Sequence, residues 1–207
     1  MSSFQRYAVY CGLLAPILSL GSTGLATVVA PASEFTWQGF AISDLGRPTA
    51  RTYFLFNGGL ILGGLVGMLF SWPLWRRSRN ELERAGAGVF VVTLLGLTLV
   101  GVFHLPKALH EPVALLFFLG GPFTHWFYGT GQVLAGDVRF GLVSIWVGVA
   151  HVVGWTGWII YIAVGGSAES WFAVPEMIAS VAFGCWAFAL ARSMVDGGVL
   201  SGSSVGS

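Results

Sequence analysis

Charge is the scarcest property of this chain. Of its 207 residues only 9% are Asp, Glu, Lys or Arg, whereas a soluble domain usually carries about 25%. A single lysine, Lys107, stands beside nine arginines, and the formal net charge is +1. So little charge excludes a soluble enzyme and a disordered chain, and it provides no field that would attract nucleic acid.

Cysteine is also rare. The two that occur, Cys11 and Cys185, lie in apolar stretches, so a disulfide framework is not expected. Hydrophobic residues, in contrast, make up 55% of the chain, together with 30 glycines and nine tryptophans. This composition is typical of a protein whose solvent is mostly lipid.

Six apolar segments are long enough to cross a membrane, which takes roughly 20 apolar residues. The runs are continuous rather than alternating, so the strands of a membrane barrel are a poor fit. We therefore predict an all-α polytopic integral membrane protein. Its single domain, residues 1–195, is a bundle of six transmembrane helices at about residues 8–30, 52–75, 85–103, 113–135, 142–164 and 172–195. The Gly- and Ser-rich residues 196–207 are predicted to form a disordered cytoplasmic tail.

The basic residues indicate how the bundle is oriented. If the N-terminus is cytoplasmic, seven basic residues face the cytoplasm and three, Arg47, Arg51 and Lys107, face outward. The positive-inside rule then favours a cytoplasmic location for both termini. The predicted location is the cell membrane.

Two histidines lie deep inside the predicted helices. His125 is about 18 Å from the outer end of the fourth span, and His151 about 14 Å from the inner end of the fifth. Both are near the midplane of a hydrocarbon core about 30 Å thick, on neighbouring antiparallel helices. Such residues are candidates for a proton relay, a metal site or haem ligation. Alternatively, each donates one hydrogen bond to a neighbouring helix, for example to Thr124, Thr156 or Ser144.

A second group of polar residues lies in the predicted outer loops. His110 and Glu111 stand where the fourth helix begins, and Asp44 lies in the first outer loop. Asp44 is suited to capping a turn, and Glu111 to the N-terminus of a helix. The alternative is an acid/His cluster of Asp44 and His110 with Glu111 and either Glu169 or Glu176, in which Asp44 orients His110. Such a cluster could do acid/base work on a lipid headgroup or hold a divalent metal. Arg51, Asn57 and Glu111 would then bind the substrate.

The second predicted helix carries glycines at every fourth position. Gly59, Gly63 and Gly67 line one face, and such a face lets another backbone approach closely. It predicts either a tightly packed central helix or a surface for self-association or for a protein partner.

The same regions resemble a known family. The loop Ile-Ser-Asp-Leu-Gly at 42–46, the helix start at 53–60, Gly-Val-Phe at 101–103 and the later His110 resemble the prokaryotic membrane family called domain of unknown function 998. A distant likeness links the outer loop to the Frag/DRAM/Sfk family, whose members are connected with lipid-anchor remodelling, lipid distribution and autophagy. The resemblance implies the fold and the orientation of the family, and it favours a function connected with lipids. The positions that match the family are Ser43, Asp44, Gly46, Asn57, Gly58 and His110. His104 departs from the family pattern, in which proline is expected there.

Three functions stay open. The leading hypothesis is a lipid-related role at the outer membrane–water boundary, with Asp44 and His110 as the chemical groups, and the residues do not decide whether a bond is made or broken. The second is a small transporter or proton-coupled carrier that uses His125 and His151. The third is a non-catalytic membrane assembly factor. Membrane lipids are the expected partners, nucleic acid is not one, and neither a cofactor nor a metal is expected.

Overall fold

The computed structural model describes residues 3–202, and side chains over residues 4–196. Six α-helices account for most of them: α1 Ser3–Val29, α2 Tyr53–Arg77, α3 Glu81–Val102, α4 His110–Leu134, α5 Val138–Ala163 and α6 Ala173–Gly202. A short 3₁₀ turn, Ile42–Gly46, lies between α1 and α2. No strand occurs within residues 3–202, so the all-α prediction is confirmed. α6 extends into the segment predicted as a disordered tail, whose last residues, 203–207, lie outside the described part.

Five of the six helices, all except α4, are long and apolar enough to cross a membrane. This confirms a polytopic membrane bundle. α4 has 25 residues, about 37 Å at 1.5 Å per residue, so its length suffices. Its sequence is more polar, but Thr124, His125, Tyr128 and Gln132 are all buried inside the bundle. That α4 also crosses the membrane stays a prediction.

The helices pack in chain order and close into a ring. Each contacts the next along the chain, and α6 returns to contact α1. Residues 78–80 join α2 to α3, and residues 135–137 join α4 to α5. Connections this short make the joined helices antiparallel neighbours. Gly136 has a φ of 90° in the second of these turns, a conformation that glycine adopts without steric cost.

Aromatic side chains fill the middle of the ring. Phe90 of α3 stacks on Phe183 of α6 with ring centroids 5.4 Å apart. Phe117 of α4 meets the same Phe183 edge-on at 5.6 Å, and Phe70 of α2 meets Phe90 at 6.0 Å. Because lipid provides no hydrophobic force between helices, close packing of this kind holds the bundle together.

The glycine face of α2 lies against α1. A Cβ at Gly63 would come within 2.8 Å of the Ser19 Cβ and 3.0 Å of the Ala15 carbonyl oxygen. Gly59 approaches the same helix, and Gly67 lies between Leu94 of α3 and Ala15 of α1. The face therefore packs within the chain, and α1 covers the surface that self-association or a partner would need.

A buried acid anchors the turn between α2 and α3. Glu83 is 1% exposed, and its carboxylate accepts hydrogen bonds from the Arg79 guanidinium at 2.5 Å and from the Arg79 backbone N–H at 2.6 Å. The hydrogen bond with Glu83 raises the pKa of Arg79. Asn80 accepts the Glu83 N–H and donates to the Gly131 carbonyl of α4. Arg79 therefore stabilises this end of the bundle. It is also one of the basic residues that indicate the orientation in the membrane.

Gly63→Ala is expected to destabilise the bundle, because the new methyl group would meet backbone atoms of α1 that no side-chain rotation can move. Overpacking of this kind lowers the free energy of unfolding by about 1–3 kcal/mol. Gly58→Ala is the matched control, since nothing lies within 4 Å of its added Cβ and alanine favours a helix. Thermal unfolding of the purified chain in detergent compares the two. Equal effects would contradict the packing of α2 on α1.

Candidate functional site

The polar residues predicted at the outer boundary lie around the 3₁₀ turn Ile42–Gly46. Asp44 forms an ion pair with Arg47 at 2.5 Å and accepts the Ala41 N–H at 2.8 Å. Its carboxylate thus holds the turn, which is one of the two roles that the sequence predicts.

His110 occupies the first position of α4. Its Nδ1 lies 2.9 Å from the backbone carbonyl oxygen of Phe103. Within residues 4–196 no hydrogen bond or ion pair joins His110 to Asp44, so the predicted acid/His contact is not formed. Glu111 is exposed beside it, and His104 places its Nε2 3.2 Å from the Tyr53 hydroxyl.

Arg51 and Asn57 lie next to the same turn. The Arg51 side chain is 79% exposed, with its Nε 3.9 Å from the Glu34 carboxylate, so the guanidinium is accessible to an anion. The Asn57 amide donates to the Gly46 carbonyl at 2.9 Å, and its Oδ1 is buried without a hydrogen-bond partner.

Glu176, near the start of α6, holds the turn from inside the bundle. It is buried, and its carboxylate accepts the Ile42 N–H at 2.6 Å. The sequence offers Glu176 as a member of the cluster with Asp44 and His110, but its bond to the Ile42 N–H was missed, because the two residues lie 134 positions apart and no local pattern indicates the contact.

His125 of α4 and His151 of α5 lie side by side inside the bundle. Both are fully buried, and their ring centroids are 6.5 Å apart. None of their four ring nitrogens has a hydrogen-bond partner. A neutral imidazole has one N–H donor and one acceptor nitrogen. The pair therefore presents two unpaired donors and two unpaired acceptors in the interior of a membrane bundle.

The hydroxyl groups that the sequence offers as partners for this pair are bonded elsewhere. Thr124 and Thr156 each donate to a backbone carbonyl one turn earlier in their own helices, both at 2.9 Å. Ser144 lies 2.9 Å from the side-chain oxygen of Gln132, to which it donates. Buried polar atoms without a partner are rare in native proteins, and they indicate an additional ligand, such as water, or a functional role.

Two glycines make room for the two histidines, one on each helix. A Cβ at Gly121 of α4 would lie 2.6 Å from Cε1 of His151, and a Cβ at Gly148 of α5 would lie 3.0 Å from Cβ of His125. The arrangement is reciprocal, since each histidine packs against a glycine of the facing helix. Sequence reasoning missed both glycines, although each stands about one helical turn before a histidine.

Pro122 in α4 frees a carbonyl group next to the pair. Proline has no N–H, so the Phe118 carbonyl one turn earlier lacks its helical hydrogen bond. This carbonyl faces the His151 ring, outside hydrogen-bond geometry. On the other side, Phe183 and Trp186 contact His125 with ring centroids at 5.7 and 5.0 Å.

The two rings are close enough for one bridging polar atom to hydrogen-bond both, since two hydrogen bonds of about 2.9 Å each span rings whose centroids lie 6.5 Å apart. Within residues 4–196 no group of three or more His, Cys, Asp or Glu side chains is placed to bind a metal ion.

Gly121→Ala is expected to lower the free energy of unfolding by about 1–3 kcal/mol, because the new methyl group displaces the His151 ring. The same change in a His151→Ala background should cost less, since the shorter side chain leaves room for the methyl group. Gly157→Ala in α5 is the control, with nothing within 4 Å of its added Cβ. Denaturant unfolding in detergent measures each variant against its own background. An equal cost of Gly121→Ala in both backgrounds would contradict this contact.

Comparison with known proteins agrees with the resemblance found in the sequence. The family model described as "Protein of unknown function (DUF998)" matches residues 9–193. No curated protein and no solved structure matches the chain. The distant likeness to the Frag/DRAM/Sfk family stays a prediction. Because the match takes in most of all six helices, the chain belongs to the DUF998 family.

Proposed function

We propose that this chain is a small proton-coupled membrane carrier in which His125 and His151 bind and release the proton. One observation carries the proposal: all four ring nitrogens are buried and unpaired. Each such group destabilises a fold by roughly 1–3 kcal/mol. A fold that keeps the pair therefore gains something other than stability from it, and proton exchange is the characteristic chemistry of imidazole.

A small cavity lies inside the ring next to the histidine pair. It has a volume of about 40 Å³ and is lined mainly by apolar residues of α1, α2, α3 and α6. Ser19, Thr23 and Ser180 add hydroxyl groups to this lining. Phe183 lines the cavity and also contacts His125, with ring centroids 5.7 Å apart. Phe183 therefore separates the cavity from the pair.

Proteoliposomes that contain a pH-sensitive dye test this function. A pool of small metabolites from the cells that make the protein is added outside under an imposed pH gradient, and the lumenal pH is followed. The wild-type chain is expected to change the lumenal pH, and His125→Gln and His151→Gln to lose most of this change. His104→Gln is the matched control, because His104 lies in an outer loop beside Tyr53. Equal changes for the wild type and both pair variants would overturn the proposal.

A second candidate is a lipid-related role at the outer boundary, limited to binding a lipid headgroup. The Arg51 side chain is 79% exposed, and Phe54 in the first turn of α2 is 86% exposed. A basic group beside an apolar one favours contact with an anionic headgroup and its chain. Asp44 is engaged with Arg47 and the Ala41 N–H and, within residues 4–196, forms no hydrogen bond with His110, which favours headgroup binding over acid/base chemistry by this pair.

The lipids of cells with and without the gene, compared at matched growth, test this second candidate. A lipid that accumulates on deletion, and that an Arg51→Gln copy does not clear, would support it. If an Asp44→Asn copy clears the lipid, the protein binds the lipid without acid/base chemistry at Asp44. An unchanged lipid profile would contradict the candidate.

The proposed location is the cell membrane, with both termini in the cytoplasm. The distribution of basic residues, seven against three, supports this orientation. For the third function, a membrane assembly factor, the glycine face of α2 offers no support, because α1 covers it.

A further inference from the structure

An open groove runs between α5 and α6, at the end of the bundle where the α4–α5 turn lies. Its volume is about 540 Å³. Its mouth is charged and its wall is apolar, formed by Asp137, Arg139, Phe140, Val143, Val147 and Trp186. From Arg139 to Val147 the groove follows α5 for about 12 Å, at 1.5 Å per residue.

The two charges at the mouth are opposite in sign, and both are available. Asp137 precedes α5 without a side-chain capping hydrogen bond, and Arg139 is exposed. Neither side chain forms an ion pair or a hydrogen bond within residues 4–196. Arg79, which is close enough to influence Asp137 electrostatically, is already bound to Glu83.

The mouth lies at the level of lipid headgroups. α5 begins at Val138, so Asp137 and Arg139 stand where the apolar span meets the water boundary. An acid and a base at this level, followed by an apolar groove, match an amphiphile that carries both charges at one end.

We propose that this groove binds one phospholipid with a phosphoethanolamine headgroup. The primary ammonium donates to the Asp137 carboxylate, the phosphate accepts from Arg139, and one acyl chain lies along Val143 and Val147. A purely anionic headgroup would satisfy Arg139 but would bring a like charge to Asp137, and a quaternary choline has no N–H to donate. The proposal is independent of the carrier function.

Native mass spectrometry of the full chain in mild detergent tests the groove. The protein is offered equal amounts of phosphatidylethanolamine, phosphatidylglycerol and phosphatidylcholine with identical acyl chains. The wild-type chain is expected to retain the ethanolamine lipid about tenfold more than the other two, because only this headgroup satisfies both charges. Asp137→Asn should abolish that preference, and Arg139→Gln should lower the retention of all three lipids.

Two further variants separate the groove from the surrounding surface. Val143→Trp fills the apolar wall and is expected to lower retention of all three lipids, and Val143 is 51% exposed, so the larger side chain fits. Arg192→Gln is the control, since Arg192 is an exposed arginine of α6 at the same end of the bundle, outside the groove. Thermal unfolding confirms that each variant folds. Equal retention of the three lipids, a preference for phosphatidylglycerol, or retention unaffected by Asp137→Asn and Val143→Trp would overturn the proposal.

Discussion

Hydrocarbon offers polar groups no partner, and this constraint organises the whole bundle. A polar side chain at membrane depth must find its partner within the protein. Threonines of α3 and α4 donate to carbonyls of their own helices, and the Trp186 indole N–H donates to Ser144 at 2.8 Å. His125 and His151 depart from this rule, as does the indole nitrogen of Trp155, and glycines on the facing helices let the two histidine rings approach. The ring of helices therefore encloses polar atoms that its own packing leaves unsatisfied.

At the outer boundary, polar side chains bond the backbone of the loops. Asp44, Asn57, His110 and Glu176 are each in contact with a backbone group of the outer loops. Loops lack the regular pairing of helices, so their backbone groups need side-chain partners when they are buried. These four residues look like an acid/base site in the sequence, but in the structure they anchor the loops at the end of the ring.

Hydropathy and loop length were sufficient to predict the helices and the neighbouring positions of His125 and His151, because rise per residue determines depth. They do not report how each helix is rotated about its axis, since a helix that is apolar on all sides has no preferred face. The sequence could therefore not predict that Thr124, Thr156 and Ser144 bond elsewhere. The sequence offered Glu176 for the cluster with Asp44, but it could not predict that its carboxylate bonds the Ile42 N–H, because no local pattern joins distant segments.

The stability of the chain without its histidine pair tests this account most directly. Thermal unfolding in detergent is measured for the wild type, His125→Leu, His151→Leu and, as a reference, His110→Leu, which loses the contact with the Phe103 carbonyl. Leucine at 125 or 151 is expected to keep or raise the melting temperature, because an apolar side chain of similar size removes unpaired nitrogens. His110→Leu should lower it. Melting temperatures that fall as far in both pair variants as in His110→Leu would contradict the account, because the histidines would then hold the fold.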